Sequence, residues 1–410
     1  MRRLAASMLL LATAAAAQEG ARGAIRAFEA AGRLSGPPRA EAQLELSRAL
    51  RKLGFDFGAF YAYAQIVDAG PAQPGYLEAL QAIAAISEAS RDEVFGPNLL
   101  ARVPAGQLSQ LPPDARARID AMLGLLAWRA GKYADAETLL RGVPSGNAAS
   151  AQARYLEALL QQRSDPEKAL QTFRAVIAAR GASADLRELA SLAVGRTLYG
   201  MHRYAEASAA YATLPRFSRH WDEALFEGAY ADLRNGDPGR ALGKLYSLHS
   251  PHLRDEFAPE SYNLAALIYH QRCLYREVGD ALAEFSREYV PMREQIRKLL
   301  ASDLPVEAYW QMLADGDPRL PPAVLHHLEK NERVGSLSAY QKLLDAEARR
   351  VRGDRELSGS ALGAELLERI AAQKMLTARV AGKFVRGRLA DMASLIELLE
   401  GDKEIAAFET

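Results

Sequence analysis

The chain has 410 residues, with 51 lysines and arginines against 51 aspartates and glutamates. A hydrophobic share of 49% and a charged share of 25% exclude wholesale disorder, and a formal charge of +0 excludes electrostatic capture of nucleic acid by the chain as a whole. The single cysteine, Cys273, excludes an intramolecular disulfide and a cysteine-built zinc cluster.

The chain opens on Met1, Arg2 and Arg3, then runs apolar from Leu4 to Ala16 except for Ser7 and Thr13. Ala15, Ala16 and Ala17 precede the polar pair Gln18 and Glu19. A charged start, a short apolar middle and a small-residue cut site predict a secretory signal over residues 1–17, cleaved after Ala17. An uncleaved N-terminal anchor is the other reading, but the run is short for a bilayer span. Arg2 and Arg3 lack the flanking residues of a twin-arginine signal. With no cysteine near the cut, a lipoprotein anchor is chemically excluded. Cleavage removes Arg2 and Arg3, leaving 49 basic against 51 acidic side chains, a net charge of −2. No later stretch is apolar enough to span a membrane, so the expected location is periplasmic or secreted.

Residues 18–302 repeat one pattern. A helix-period apolar run ends at a small or polar turn residue. A tyrosine, proline or similar residue follows, then a small anchor residue three positions on and an aromatic or leucine four later. The clearest copy runs from Leu192 to Leu214, with Gly195, Leu198, Tyr204, Ala207 and Tyr211 in order. Others are Gly124, Ala127, Gly131, Tyr133, Ala136 and Leu140; Leu156, Leu160, Pro166, Ala169 and Phe173; and Ala229, Gly236, Pro238, Ala241 and Leu245. Two more are Ala265, Tyr269, Cys273, Tyr275, Val278 and Leu282, and Leu46, Leu50, Gly54, Ala59 and Tyr63. The anchors at 59, 136, 169, 207, 241 and 278 differ by 77, 33, 38, 34 and 37. The first gap is about two periods, which places a degenerate copy around Tyr76 to Leu100. Small residues let two helices approach closely, and large ones four apart fill the groove between them. Asn235, Gly236, Asp237 and Pro238 read as a helix stop followed by a restart. No period-two β-branched run supports a strand.

These residues resemble the tetratricopeptide repeat (TPR) family over about residues 40 to 290, although no copy carries the tryptophan of the family's first signature position. The resemblance implies an all-α fold, a right-handed α-solenoid of TPR-like helical hairpins, whose stacking buries a continuous core. It also implies that the first helix of each hairpin lines a concave groove. The template positions facing that groove map to Trp128, Arg129, Arg154, Arg196, Tyr199, Phe226, Tyr230, Asn263 and His270, candidate protein-binding residues; inter-repeat packing is the alternative role for each aromatic. Aromatics and arginine are favoured at binding hot spots. The lysine and asparagine pattern by which some TPR proteins hold a peptide carboxylate does not match.

Repeat spacing stops after about Pro291. Residues 303–322 contain Pro305, Pro318, Pro321 and Pro322 and read as a linker. Residues 323–410 read as a C-terminal helical region. Helices are expected over Ala323 to Leu328 and Ser338 to Val351, and a long terminal helix from Ala361 to about Glu400. Forty residues of helix would extend about 60 Å. Gly382 and Gly387 argue for a bend or break within it. This helix either caps the solenoid or forms a partner-binding arm. Lys374, Arg379, Lys383, Arg386 and Arg388 lie in a stretch without acids. Arg379, Lys383 and Arg386 share a face that could make peripheral contact with an anionic surface or an acidic protein, or simply be solvated.

The sequence carries no recognisable reaction. No HExxH, GxSxG or phosphate-cradling GxxxxGK[ST] occurs. His249 and His252 with Asp255 and Glu256 are the nearest approach to a metal cluster, but Pro251 disrupts the helical spacing ligation would need. Cys273 has no histidine at a pairing distance in sequence. The expectation is therefore no catalytic residue, no metal and no cofactor. The leading reading is a non-enzymatic exported scaffold that binds other envelope proteins or peptides. The alternatives are a binding module for peptidoglycan or another wall polymer, and an enzyme with an unrecognised site in residues 303–410. The signal, the degenerate array and the long helical tail are together similar to exported TPR proteins of myxobacteria and relatives, some of them parts of gliding-motility machinery. The segments Ala241 to His249 and Tyr262 to Tyr269 and the ending Ala406 to Thr410 carry that weaker likeness.

Overall fold

The computed structural model describes residues 19–144 and 150–408, so the expected signal at 1–17 lies outside the described residues. The described residues are helical, with no strand among them. Their contacts form two compact units, Met1–Asn147 with Ser336–Thr377, and Ala148–Gly335 with Ala378–Thr410.

The first unit begins with α1 (residues 19–33), α2 (Gly36–Lys52) and α3 (Asp56–Ala69). It continues through α4 (Tyr76–Ser90), the short α5 (Phe95–Leu100) and α6 (Ala105–Leu108), α7 (Pro113–Arg129) and α8 (Tyr133–Arg141). Ala59 and Ala136, the anchors of two copies, are fully buried. The degenerate copy is α4 followed by the shortened α5. In α7 the close approach is explicit: a Cβ on Gly124 would lie 2.6 Å from Leu140 Cδ2. Leu50, Tyr63, Leu80, Ile83, Leu100 and Ile119 form the core, and Val351, Leu357, Leu362 and Leu366 join it from the far end of the chain.

Val351 belongs to α19 (Glu332–Gly353), Leu357 to the turn after it, and Leu362 and Leu366 to the start of α20 (Ala361–Phe408). Helix α19 clasps the turn between α2 and α3. Glu347 accepts the backbone N–H of Phe57 at 2.9 Å and of Gly58 at 2.8 Å, at the positive N-terminal end of α3. One turn on, Arg350 donates to the carbonyls of Gly54 and Leu53 at the negative C-terminal end of α2, its guanidinium 4.6 Å from the Phe55 ring centroid. An accepting and a donating side chain, one turn apart, thus satisfy backbone groups that two helix ends leave open.

The second unit contains α9 (Ser150–Gln161), α10 (Pro166–Ala178), α11 (Ala184–Gly200), α12 (Tyr204–Tyr211), α13 (Trp221–Arg234), α14 (Pro238–Leu248), α15 (Glu260–Gln271) and α16 (Tyr275–Leu300). They pair as α9 with α10, α11 with α12, α13 with α14 and α15 with α16. The first helices α9, α11, α13 and α15 also touch in succession, as stacked hairpins require. Ala169, Ala207 and Ala241 are fully buried and Val278 nearly so. The hairpin stops follow the local chemistry. Asp165, Ser183 and Asp237 accept the backbone N–H three residues on, and Pro166 and Pro238 open their helices. The turn between the two helices of a hairpin takes a left-handed backbone at Gly131, His202, Gly236 and Cys273, with φ of 72°, 61°, 82° and 55°.

The C-terminal third departs from the expectation in three ways. Residues 303–322, read as a linker, contain α17 (Val306–Asp315), with Tyr309, Trp310, Met312 and Leu313 buried. Its prolines start helices: Pro305 precedes α17, Pro321 precedes α18 (Pro322–Lys330), and Pro322 opens it. Helix α20 runs unbroken through Gly382 and Gly387. A Cβ at Gly382 would lie 2.0 Å from the Val306 carbonyl oxygen, so this glycine permits a close crossing with α17. Residues 336–377 pack with the N-terminal hairpins, so 323–410 is divided between the units. In the second unit Ile396 and Leu399 of α20 pack against Tyr262, Phe285 and Tyr289. Its apolar stripe serves as packing surface in each unit.

Candidate functional site

In the second unit, the residues expected to face a groove are held by local partners. Arg196 on α11 donates to Glu227 at 2.6 to 3.0 Å and to Glu223 at 2.7 Å, both on α13. Arg154 pairs with Glu157 at 3.3 Å. Tyr199 is half-buried and meets Tyr204 edge-to-face at 5.3 Å, and Phe226 meets Tyr230 the same way at 5.3 Å. Burial raises the Tyr230 phenol above its ordinary pKa, with Glu260 and Tyr199 adding to the shift. Asn263 donates to the Leu399 carbonyl of α20 at 3.2 Å, and its own side-chain oxygen is buried without a partner. His270 packs edge-on against Tyr275 at 5.9 Å. The ion pairs bring Arg196 of α11 against α13, which carries Phe226 and Tyr230, whereas Asn263 is covered by α20. In the first unit, Trp128 is half-buried and Arg129 pairs with Glu93 at 2.7 Å.

The histidines are committed to packing or polar contacts. His249 stacks on Tyr262 at 4.1 Å and bonds Ser261 Oγ at 2.7 Å, and burial lowers its pKa to about 4. His252 packs against Phe217, and His327 against Phe257. His326 bonds Glu256 at 3.2 Å. Among the described residues no three histidine, cysteine, aspartate or glutamate side chains converge on a metal-sized site. Cys273 is exposed at its turn.

The basic stretch of α20 is largely spoken for. Lys374 pairs with Asp345 at 2.5 Å in the first unit. In the second, Arg379 pairs with Glu307 at 2.8 Å, Arg388 with Asp391 at 3.3 Å, and Arg386 lies 5.9 Å from the Tyr309 ring centroid. Lys383 is exposed. Of the face shared by Arg379, Lys383 and Arg386, an ion pair neutralises Arg379 alone among the described residues.

Sequence reasoning missed two polar arrangements. One is His220, whose imidazole bonds Asp185 at 3.1 Å and Glu223 at 3.3 Å. Burial opposes its charged form, yet Glu223 and Asp185 outweigh it and raise the pKa. Burial likewise opposes ionisation of Glu223, but His220 and Arg196 hold its pKa down to about 2. The other is a cavity of about 730 Å³ in the first unit, bounded by α2, α3, α4 and α7 and lined by Arg48, Arg51, Lys52, Tyr63, Glu78 and Arg118 among others. The spacing of Arg48, Arg51 and Lys52 on α2 was visible in sequence. Their convergence with α4 and α7 was not.

No family model and no curated protein matches the chain. Solved structures to which it is similar include a tetratricopeptide repeat protein from Parabacteroides merdae, at 15% identity and TM-score 0.38, covering 60% of this chain and 92% of that one. A Rap protein complexed with competence and sporulation factor is 11% identical at TM-score 0.35, covering 89% and 99%. A monomeric mutant of IFIT1 with Gppp-AAAA is 15% identical at TM-score 0.25, covering 86% and 71%.

Proposed function

We propose that this chain is an exported, non-enzymatic scaffold that binds other cell-envelope proteins or peptides and supports assembly of an envelope complex, such as one for motility or secretion. The observation that supports the reading is the succession of first helices α9, α11, α13 and α15, packed side by side. Side chains along neighbouring first helices make one extended surface, suited to a chain-like partner rather than to a single small molecule. The groups on it are half-buried aromatics and arginines, the residue types that dominate protein interfaces. Among the described residues no helix is long and apolar enough to cross a membrane.

The deciding experiment is crosslinking and affinity purification from envelope extract, run beside sedimentation with purified cell wall. The scaffold reading expects a defined set of proteins that Tyr199→Ala with Tyr230→Ala fails to recover. Sedimentation with the wall and no enriched protein would favour a polymer-binding module. Turnover of wall fragments would make the chain an enzyme. Intact-mass measurement on the exported protein should show residues 1–17 removed, and their retention would refute the export step.

A further inference from the structure

We propose that the cavity of the first unit is a binding site for an acidic peptide segment, recognised through Arg51 and Lys52 at the end of α2. This rests on the scaffold reading and names the chemistry of its partner. The cavity's size, about 730 Å³, falls within the range of roughly 300–1,000 Å³ typical of ligand clefts. Its floor owes that space to small side chains: Ala82 and Ala115 are buried and Ala85 half-buried.

Charge decides what fits. Four cations, Arg48, Arg51, Lys52 and Arg118, line the cavity with two acids, Glu78 and Asp114, a surplus of two positive charges. Most of these are already engaged. Arg48 forks onto Glu78 at 2.8 and 2.5 Å, and Tyr63 donates to the same carboxylate at 3.3 Å. The Arg48 hydrogen bond holds the Glu78 pKa below its ordinary value, while burial and Glu78 push the Tyr63 phenol up to about 12. Arg118 pairs with Glu88 at 2.6 Å. Arg51 and Lys52 are exposed and form no ion pair among the described residues. The carbonyls of Leu53 and Gly54 just beyond them are satisfied by Arg350. Two cations without an ion pair therefore stand at the rim of the concavity, Arg51 near enough to Glu78 to help lower its pKa.

A peptide suits this lining better than a uniform polyanion. Carboxylate side chains would meet Arg51 and Lys52, the Gln81 amide NH2 could donate to peptide C=O groups, and the Gln81 amide oxygen and the Asp114 carboxylate could accept from peptide N–H groups. A peptide can set its few carboxylates at Arg51 and Lys52 and away from Asp114, whereas the evenly spaced phosphates of a nucleic acid backbone would also be brought against Asp114.

The test is fluorescence anisotropy of the full chain with a short labelled peptide carrying paired glutamates. Controls are its glutamine and lysine counterparts and a single-stranded RNA oligonucleotide. Expected are binding of the glutamate peptide alone, weakening as salt rises, and a loss of about tenfold or more in the double variant Arg51→Glu with Lys52→Glu. Ala85→Phe, which fills the cavity without changing charge, should weaken binding as well. The proposal is overturned if wild type ignores the glutamate peptide. It is equally overturned if RNA or the lysine peptide binds as well, or if both variants, shown folded by circular dichroism, bind like wild type. Failure of the scaffold reading shows separately, as wild-type chain recovering no envelope protein.

Discussion

Glu347 offers a quantitative test of how the N-terminal hairpin is held. Its side chain is 3% exposed, and its two oxygens accept the N–H groups of Phe57 and Gly58. Burial pushes its pKa from the ordinary 4.5 up to about 7, against the pull of those two donors. The fold then keeps a proton that the unfolded chain releases above about pH 4.5. Stability from this group is full below that pH and is lost as pH rises through about 7. The span corresponds to roughly 3 kcal/mol. Glu347→Gln removes the titration and, by replacing one acceptor with a donor, imposes a pH-independent cost of about 1–3 kcal/mol. Urea unfolding of both proteins, followed by far-ultraviolet circular dichroism at several pH values from 5 to 8, reads the difference. Wild type should hold its largest advantage at the acid end and lose most of it by pH 8. A gap that widens with rising pH would refute the reasoning. It would mean that the two N–H donors and the end of α3 keep the carboxylate ionised despite burial.

Three further outcomes are expected. Ala207→Leu overpacks a fully buried crossing beside Gly195 and Tyr211 and should cost about 1–3 kcal/mol in thermal and urea transitions. An unchanged transition would put the repeat register in error there. Cys273→Gly relieves a left-handed backbone at φ 55° and should raise the melting temperature, with a gain of about 0.5–1 kcal/mol after the added freedom of the unfolded chain is counted. Lys244→Met removes the direct cation from Asp232, which is 0% exposed and receives the Lys244 ammonium at 2.5 Å, leaving it the Ser208 hydroxyl at 2.5 Å and the more distant Arg240 at 3.9 Å. The expected loss is about 3 kcal/mol by chemical denaturation, and Asp232→Asn in the same background should recover part of it.

Much of the hairpin array was legible in residue order alone. Alanines at 59, 136, 169, 207 and 241 mark crossings because a helix pair tolerates only a small side chain where it closes, and each is buried. Asn235 to Pro238 announce a helix stop and restart, and there the Asp237 side-chain oxygen satisfies an open N–H group three residues on. These signals are local, readable within a few turns of one helix. What tertiary structure decided lies between residues far apart. Gly382 looked like a breaker and is a contact, because the cost of glycine within a helix is offset where another backbone comes close. Residues 336–377 pack with the N-terminal hairpins because Glu347 and Arg350 answer helix ends nearly three hundred positions away, and charge pattern along one helix does not name its distant partner. The candidate groove residues Arg154, Arg196, Phe226 and Asn263 lie on α9, α11, α13 and α15. Whether each stays available depends on neighbours: Glu223 and Glu227 engage Arg196, and Leu399 engages Asn263.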